Sequence, residues 1–209
     1  MGATSGTVTC TKFYVRGTPK RGFRDQFIAA AVHHAFTELR PEDEEEQRAG
    51  FCVFERPFDL DIRHDNAYFT HYLNLGLRID RWRIPSSLFK AHYREAEQAH
   101  KDKLGIEKLS RRQKEDLKVM VTRKLRRKTI PMMRVYDLSW DLNAGVLRLW
   151  NTAAAVNELF EELFEKTFEH KLVRDGAYVC CEQREIGERE LERLVQLTPA
   201  VFVTAQGAS

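Results

Sequence analysis

Apolar and polar positions along this 209-residue chain change period several times, and each change marks an element. Alternating or continuous apolar runs rich in Val, Thr, Phe and Tyr predict strands at residues 7–15, 51–54, 67–77, 133–141, 146–150 and 177–182. Asn143-Ala144-Gly145 separates the fourth and fifth of these, and it is hairpin chemistry because Gly supplies the positive φ that a short loop needs. Helical spacing takes over at residues 23–39, where Phe27, Ala31 and Phe36 fall near one face before Pro41 ends the run. Over residues 157–169 the positions of Phe160, Leu163, Phe164 and Phe168, continuing back to Val156 and Leu159, predict a helix buried on one side. Glu158, Glu161, Glu162 and Glu165 face outward. A short helix at 188–197 and an extended end at 198–209 complete the reading.

The middle of the chain reads as two helices and a break. Ile84-Pro85-Ser86-Ser87 is a helix start, and residues 88–103 then run to Gly105 as a stop, with only Leu88, Ala91, Ala96 and Ala99 as a thin apolar stripe. Ser110 followed by Gln113 is a capping box that opens a second helix over 111–128, ended by Pro131. On a helical wheel Leu117, Met120, Val121 and Leu125 share a sector that also takes in Lys124. Arg112, Arg123 and Arg126 lie opposite, with Lys118 and Arg127 at the edges. Strand and helix groups joined by hairpins predict an α+β fold, with antiparallel sheets, packed helices and a basic helical pair in mid-chain. The chain reads as one unit over 1–209, with sub-regions 1–80 plus 129–209 as the body and 81–128 as the basic segment.

Charge sharpens that division. Residues 81–128 hold 16 Lys or Arg against 6 Asp or Glu, a net of +10, while 1–80 carry 10 against 12 and 129–209 carry 8 against 13. A local excess of this size implies a polyanionic partner, because Lys and Arg placed on phosphates release condensed counterions. The candidate DNA contacts are Arg81, Arg83, Lys90, Arg111, Arg112, Lys118, Arg123, Arg126, Arg127 and Lys128. No helix-turn-helix or zinc-finger pattern presents side chains to base edges, so binding is expected to ignore sequence. The expected partner is a nucleic acid, and the charge pattern leaves duplex DNA, single-stranded DNA and RNA open.

Other chemistry is sparse. Asp59, Asp61, His64, Asp65 and His71 could together supply ligands to Mg²⁺ or Mn²⁺ for a metal-dependent nuclease, but turn-forming Asp and Asn in a surface loop explain the same letters. A third reading is an interaction module whose basic helix docks on an acidic protein. No cofactor, metal or catalytic group is expected, and the chain is not read as an enzyme. Cys10, Cys52, Cys180 and Cys181 show no paired metal-ligand spacing and are expected to be reduced thiols. The N-terminal residues lack the pattern of a signal peptide and no stretch suits a membrane span, which predicts a cytoplasmic, nucleoid-associated protein. Trp82 and Trp150 sit beside polar residues at element ends, where exposed aromatics mark interfaces, so a homodimer is expected to use them or the sheet edges.

Several short stretches carry a family resemblance in their order along residues 8–179. They are Tyr72-Leu-Asn-Leu-Gly-Leu-Arg-Ile-Asp80, Ile84-Pro85, Leu109-Ser110-Arg111-Arg112, Ile130-Pro131, Ser139-Trp140-Asp141-Leu142 and Leu163-Phe164-Glu165-Lys166-Thr167-Phe168. Together they resemble the bacterial recombination-associated protein RdgC family. The resemblance implies a non-enzymatic DNA-binding protein that forms a ring-like homodimer around duplex DNA and restrains the RecA recombinase by occupying its substrate. Longer members of that family continue with a further C-terminal portion, whereas this chain ends soon after its last predicted helix. The missing portion could have supplied one of the two dimer contacts, so an open dimer or clamp, and a specialised short member with another partner, stand as alternatives to the closed ring.

Overall fold

A computed structural model describes residues 2–4, 8–17, 19, 22–184 and 186–198. Its strands are β1 (Thr11–Arg16), β2 (Gln47–Val53), β3 (Tyr68–Phe69), β4 (Tyr72–Arg81), β5 (Met132–Asp141), β6 (Val146–Leu149) and β7 (Lys171–Arg174). The helices are α1 (Phe23–His33), α2 (His64–Ala67), α3 (Ser86–Leu104), α4 (Arg111–Arg126), α5 (Ala154–Phe168), α6 (Ala177–Gln183) and α7 (Glu188–Val195). The strands form one antiparallel sheet in the order β2-β4-β5-β6-β1-β7, with β3 pairing β4. The α+β architecture read from the sequence is the one observed.

Alternation along the strands separates two faces. Leu73, Leu75, Leu77 and Ile79 of β4 align with Phe51 and Val53 of β2 and with Trp140 and Leu138 of β5 on one face. The helices α1 and α5 cover it, inserting Phe27, Ala31, Phe160, Phe164 and Phe168 into the same apolar cluster. Aromatic rings dominate there: Trp140 stacks on Phe27 at 5.0 Å between centroids and meets Phe164 edge-on at 5.2 Å. The β5–β6 turn follows its expected chemistry, with Gly145 at φ 63° and Asp141 Oδ1 accepting from the N–H groups of Asn143 (3.0 Å) and Ala144 (2.9 Å).

Three elements depart from the sequence reading. The helix expected over 23–39 stops at His33, because the outer edge of β2 recruits the following residues: Phe36 N–H donates to Phe51 O (2.8 Å) and Phe51 N–H to His34 O (3.0 Å). Phe36 and Leu39 are buried all the same, from the segment that follows the helix. Gly50 permits that approach, since a Cβ there would lie 2.4 Å from Phe36 Cα. The single run expected over 67–77 is instead the end of the short helix α2 and a tight β3–β4 hairpin, turning at Thr70 with φ 56°. Residues 177–182, expected as a strand, lie in α6, and the strand is β7 just before it. Val and Cys favour strands only where a sheet receives them, and the edge of β1 is already taken by Lys171–Arg174. The expected extended end at 198–209 lies, beyond Thr198, outside the described residues.

Candidate nucleic-acid interface

The basic segment is an elaborated hairpin connection. β4 and β5 pair directly down to Arg81 and Met132, and α3 and α4 are inserted between those two partners. The pair projects as an arm. Pro85 precedes its first turn, and Gly105 closes α3 in the left-handed region at φ 63°. The Ser110 Oγ accepts from Gln113 N–H (3.2 Å) while Gln113 Oε1 accepts from Ser110 N–H (2.9 Å), so the capping box opens α4 as expected. None of the nineteen residues of α3 is buried. The arm's own seam consists of Leu109, Leu117, Val121 and Leu125, which do not join the apolar cluster beneath the sheet.

The seam is rotated relative to the wheel. Met120 is 52% exposed and Lys124 is exposed, whereas Arg126, expected on the basic face, is only 5% exposed. Its Nη1 donates to the carbonyl of Asp43 (2.6 Å) and its guanidinium lies 5.8 Å from the Trp82 ring centroid. Arg126 therefore holds the root of the arm and is out of reach of a phosphate. Trp82 is correspondingly 7% exposed, which removes it from the exposed aromatics expected at a dimer contact; Trp150 is half-buried. The acidic run 42–46, read as a solvated loop, is the surface on which that root rests. Arg127 Nη2 meets Glu42 at 2.9 Å, and Arg48 bridges Asp43 (3.0 Å) and Glu45 (2.8 Å). The Arg127 hydrogen bond holds the Glu42 carboxyl below its usual range, and the Arg40 backbone N–H followed by Arg48 does the same for Asp43.

What remains on the arm is strongly one-signed. Of its cations, Lys101 pairs with Glu97 (3.0 Å) and Lys118 with Glu115 (3.2 Å). Among the described residues no ion pair engages Arg81, Arg83, Lys90, Arg111, Arg112, Arg123 or Lys128, and all seven are exposed. Arg94, Lys103, Lys108, Lys114 and Lys124 join this exposed set although the sequence reading did not single them out. The local density of Lys and Arg was the signal that could have found them. Arg134 on β5 is a further exposed cation, and register alone brings it beside the arm root, opposite Ile79 and two pairs from Arg81.

The acidic and imidazole groups of 59–71 do not converge. Asp59 pairs with Arg56 (3.0 Å) and accepts from Asp61 N–H, Arg63 lies between Asp61 (3.4 Å) and Asp65 (3.7 Å), His64 turns to Asp25 (2.8 Å) and His71 to Asp141 (3.7 Å). Among the described residues no group of three or more His, Cys, Asp or Glu is placed to hold a metal ion. Nor is any described helix long and apolar enough to cross a membrane. All four cysteines are free thiols, and burial pushes the Cys52 thiol up to about 12. No protein-family model matches the chain, and no curated protein matches it.

Proposed function

We propose that the chain binds duplex DNA with little sequence preference through the α3–α4 arm. The observation that carries this reading is the array of exposed cations without ion pairs on a helical pair that is anchored to the body at one end. Such an array neutralises phosphates by position rather than by reading bases. The arm's root is held by Arg126, Arg127 and the acidic run 42–46, so its cations are presented on a fixed lever. A role in recombination or its control, as a homodimer that occupies or encircles DNA and restrains RecA, is the finer part of the proposal. It draws on the resemblance of the stretches between Tyr72 and Phe168 to the RdgC family. With Trp82 enclosed, the proposed dimer contact is a sheet edge, such as the side of β7 that pairs with no strand among the described residues, or the surface near the half-buried Trp150.

A second reading has one observation in its favour. The arm leaves Val119 and Met120 46% and 52% exposed amid its cations, as a surface docking on an acidic protein would. A gel-shift titration with plasmid and short duplexes, run across salt concentrations and with and without Mg²⁺, separates the readings. With roughly 4 to 8 phosphates neutralised, affinity falls by orders of magnitude between low and moderate salt on every sequence. A flat dependence of log K on log salt, or no binding at physiological salt, removes the DNA reading. Cleavage that requires Mg²⁺ establishes the nuclease instead, and a monomer by light scattering at all concentrations removes the dimer.

A further inference from the structure

The helix-covered face of the sheet is not covered to its end. The first turn of α5 begins over Tyr136 and Ile79, and below it the paired positions Gln47, Arg81 and Met132 continue the same face with no described element stacked on them. The result is a cavity of about 260 Å³ lined by three arginines, Arg81, Arg83 and Arg134, and by no Asp or Glu among the described residues. None of the three forms an ion pair among the described residues. The rest of the lining is largely apolar, with Ile79, Met132, Tyr136, Val156 and Leu159, and the register sets Ile79 beside Arg134 and Met132 beside Arg81.

Three like charges converging on one cavity repel each other, and an anion of more than one charge relieves that repulsion. Guanidinium forks match a phosphate better than a single carboxylate, because several N–H groups reach several equivalent oxygens. The uncapped start of α5 at Ala153 adds the positive end of a fifteen-residue helix to the same wall. A bare phosphate leaves the aromatic and aliphatic wall unused, however, and the volume lies below the roughly 300–1,000 Å³ of pockets for drug-sized ligands. We propose that this cavity binds a phosphomonoester carrying one small ring system, the size class of a nucleoside monophosphate. Its phosphate sits on Arg81, Arg83 and Arg134, and its ring lies against Tyr136, Met132 and Leu159. The same chemistry is offered by a free nucleotide and by the 5′-phosphorylated terminal nucleotide of a DNA strand. The inference does not rest on the DNA reading of the arm.

The test is calorimetric titration of the full chain with dAMP, inorganic phosphate and deoxyadenosine in parallel. The expected result is saturable binding of one dAMP per chain, at least tenfold tighter than either half-molecule. It weakens tenfold or more in Arg134→Gln and in Arg81→Gln, while Arg112→Gln on the arm leaves it unchanged. Absence of saturable dAMP binding, inorganic phosphate binding as tightly as dAMP, or unaltered affinity in both cavity variants overturns the proposal. The first two comparisons use the parent protein, so they decide the matter even if a variant folds poorly. Paired single-stranded oligonucleotides with 5′-phosphate or 5′-hydroxyl ends then identify the source. A preference for the phosphorylated end that Arg134→Gln abolishes assigns the site to a strand terminus, and dAMP binding without that preference assigns it to the free nucleotide. Salt-dependent duplex binding that survives with no dAMP binding leaves the arm reading standing alone.

Discussion

The sheet with α1 and α5 and the arm of α3 and α4 solve opposite problems. Beneath the sheet, Phe13, Trp140, Phe160 and Phe164 are all at most 1% exposed and their rings lie in one network of contacts. Along the arm the seam amounts to Leu109, Leu117, Val121 and Leu125, and α3 buries no residue at all. A side chain in the ring network is surrounded by partners from several elements, so deleting it opens a cavity that cannot collapse. A side chain on the arm's outer face has water on most sides, and its charge is the only thing its position offers. Stability thus resides in the body, and exposed positive charge in the arm. The two meet at Arg126, which is a cation used as structure.

That division can be broken in order of expected effect. Trp140→Ala should be the most damaging change, costing about 3–5 kcal/mol and lowering the melting temperature of the whole molecule in calorimetry. If the body survives it with an unaltered transition, the ring network is not the source of stability. Leu117→Ala should cost about 2–5 kcal/mol, but the loss should appear as faster amide exchange confined to α3 and α4, the arm's seam being separate from the main cluster. Exchange that accelerates equally under the sheet would show that the two regions unfold together.

Arg126→Ala and Arg123→Ala form the sharpest pair, three residues apart on one helix. The first removes a hydrogen bond to the Asp43 carbonyl and the contact with Trp82, and should cost about 1–3 kcal/mol. The second, and Arg112→Ala with it, should change stability by under about 0.5 kcal/mol while lowering the salt slope of DNA binding by roughly one per lost phosphate contact. A triple variant at Arg111, Arg112 and Arg123 that melts like the parent and binds DNA as tightly would show that the arm's charge serves something else.

The smallest effects concern titration. Burial raises the pKa of Asp137 above its ordinary value, only partly opposed by the Ala3 N–H that donates to it at 2.9 Å. The folded state therefore holds this proton more tightly than the unfolded chain does. Its stability contribution is most favourable below the ordinary carboxyl pKa and is lost as pH rises through the raised folded value. Asp137→Asn should raise the melting temperature slightly at neutral pH and leave it little changed in acid; an equal shift at both pH values would assign the effect to packing. For the same reason of burial, Cys52 should stay unmodified by a thiol reagent at neutral pH in the native protein while Cys180 and Cys181 react.

Local chemistry made the arm legible from sequence. Ser110 and Gln113 cap each other, Gly105 terminates α3 and Pro85 precedes its first turn through interactions within a few residues, so no distant partner can overrule them. The repeat of Phe160, Phe164 and Phe168 and the turn at Gly145 are of the same kind. Where the reading failed, a distant edge decided. Residues 34–36 had helical spacing but were taken by the open side of β2, and residues 177–182 had strand-forming residues but found the edge of β1 already occupied.

The candidate sites divide in the same way. Sequence by itself determined that positive charge is concentrated between Arg81 and Lys128 and that it lies on two helices, one stopped by Gly105 and the next opened by the Ser110–Gln113 capping box, because charge and capping are properties of neighbouring residues. Tertiary structure decided which of those cations face water. A helical wheel has no knowledge of the acidic run 42–46, about eighty residues earlier in the chain, which takes Arg126 and Arg127 into the arm's root and rotates the seam so that Met120 and Lys124 face out. It also decided that Arg134, just past the basic block and about fifty residues from its start, shares a cavity with Arg81 and Arg83. The physical reason is register: the pairing of β4 with β5 sets side chains side by side that are some fifty residues apart in sequence, and that pairing is fixed by the burial of Leu73, Leu75, Leu77, Leu138 and Trp140 at the other end of the same two strands.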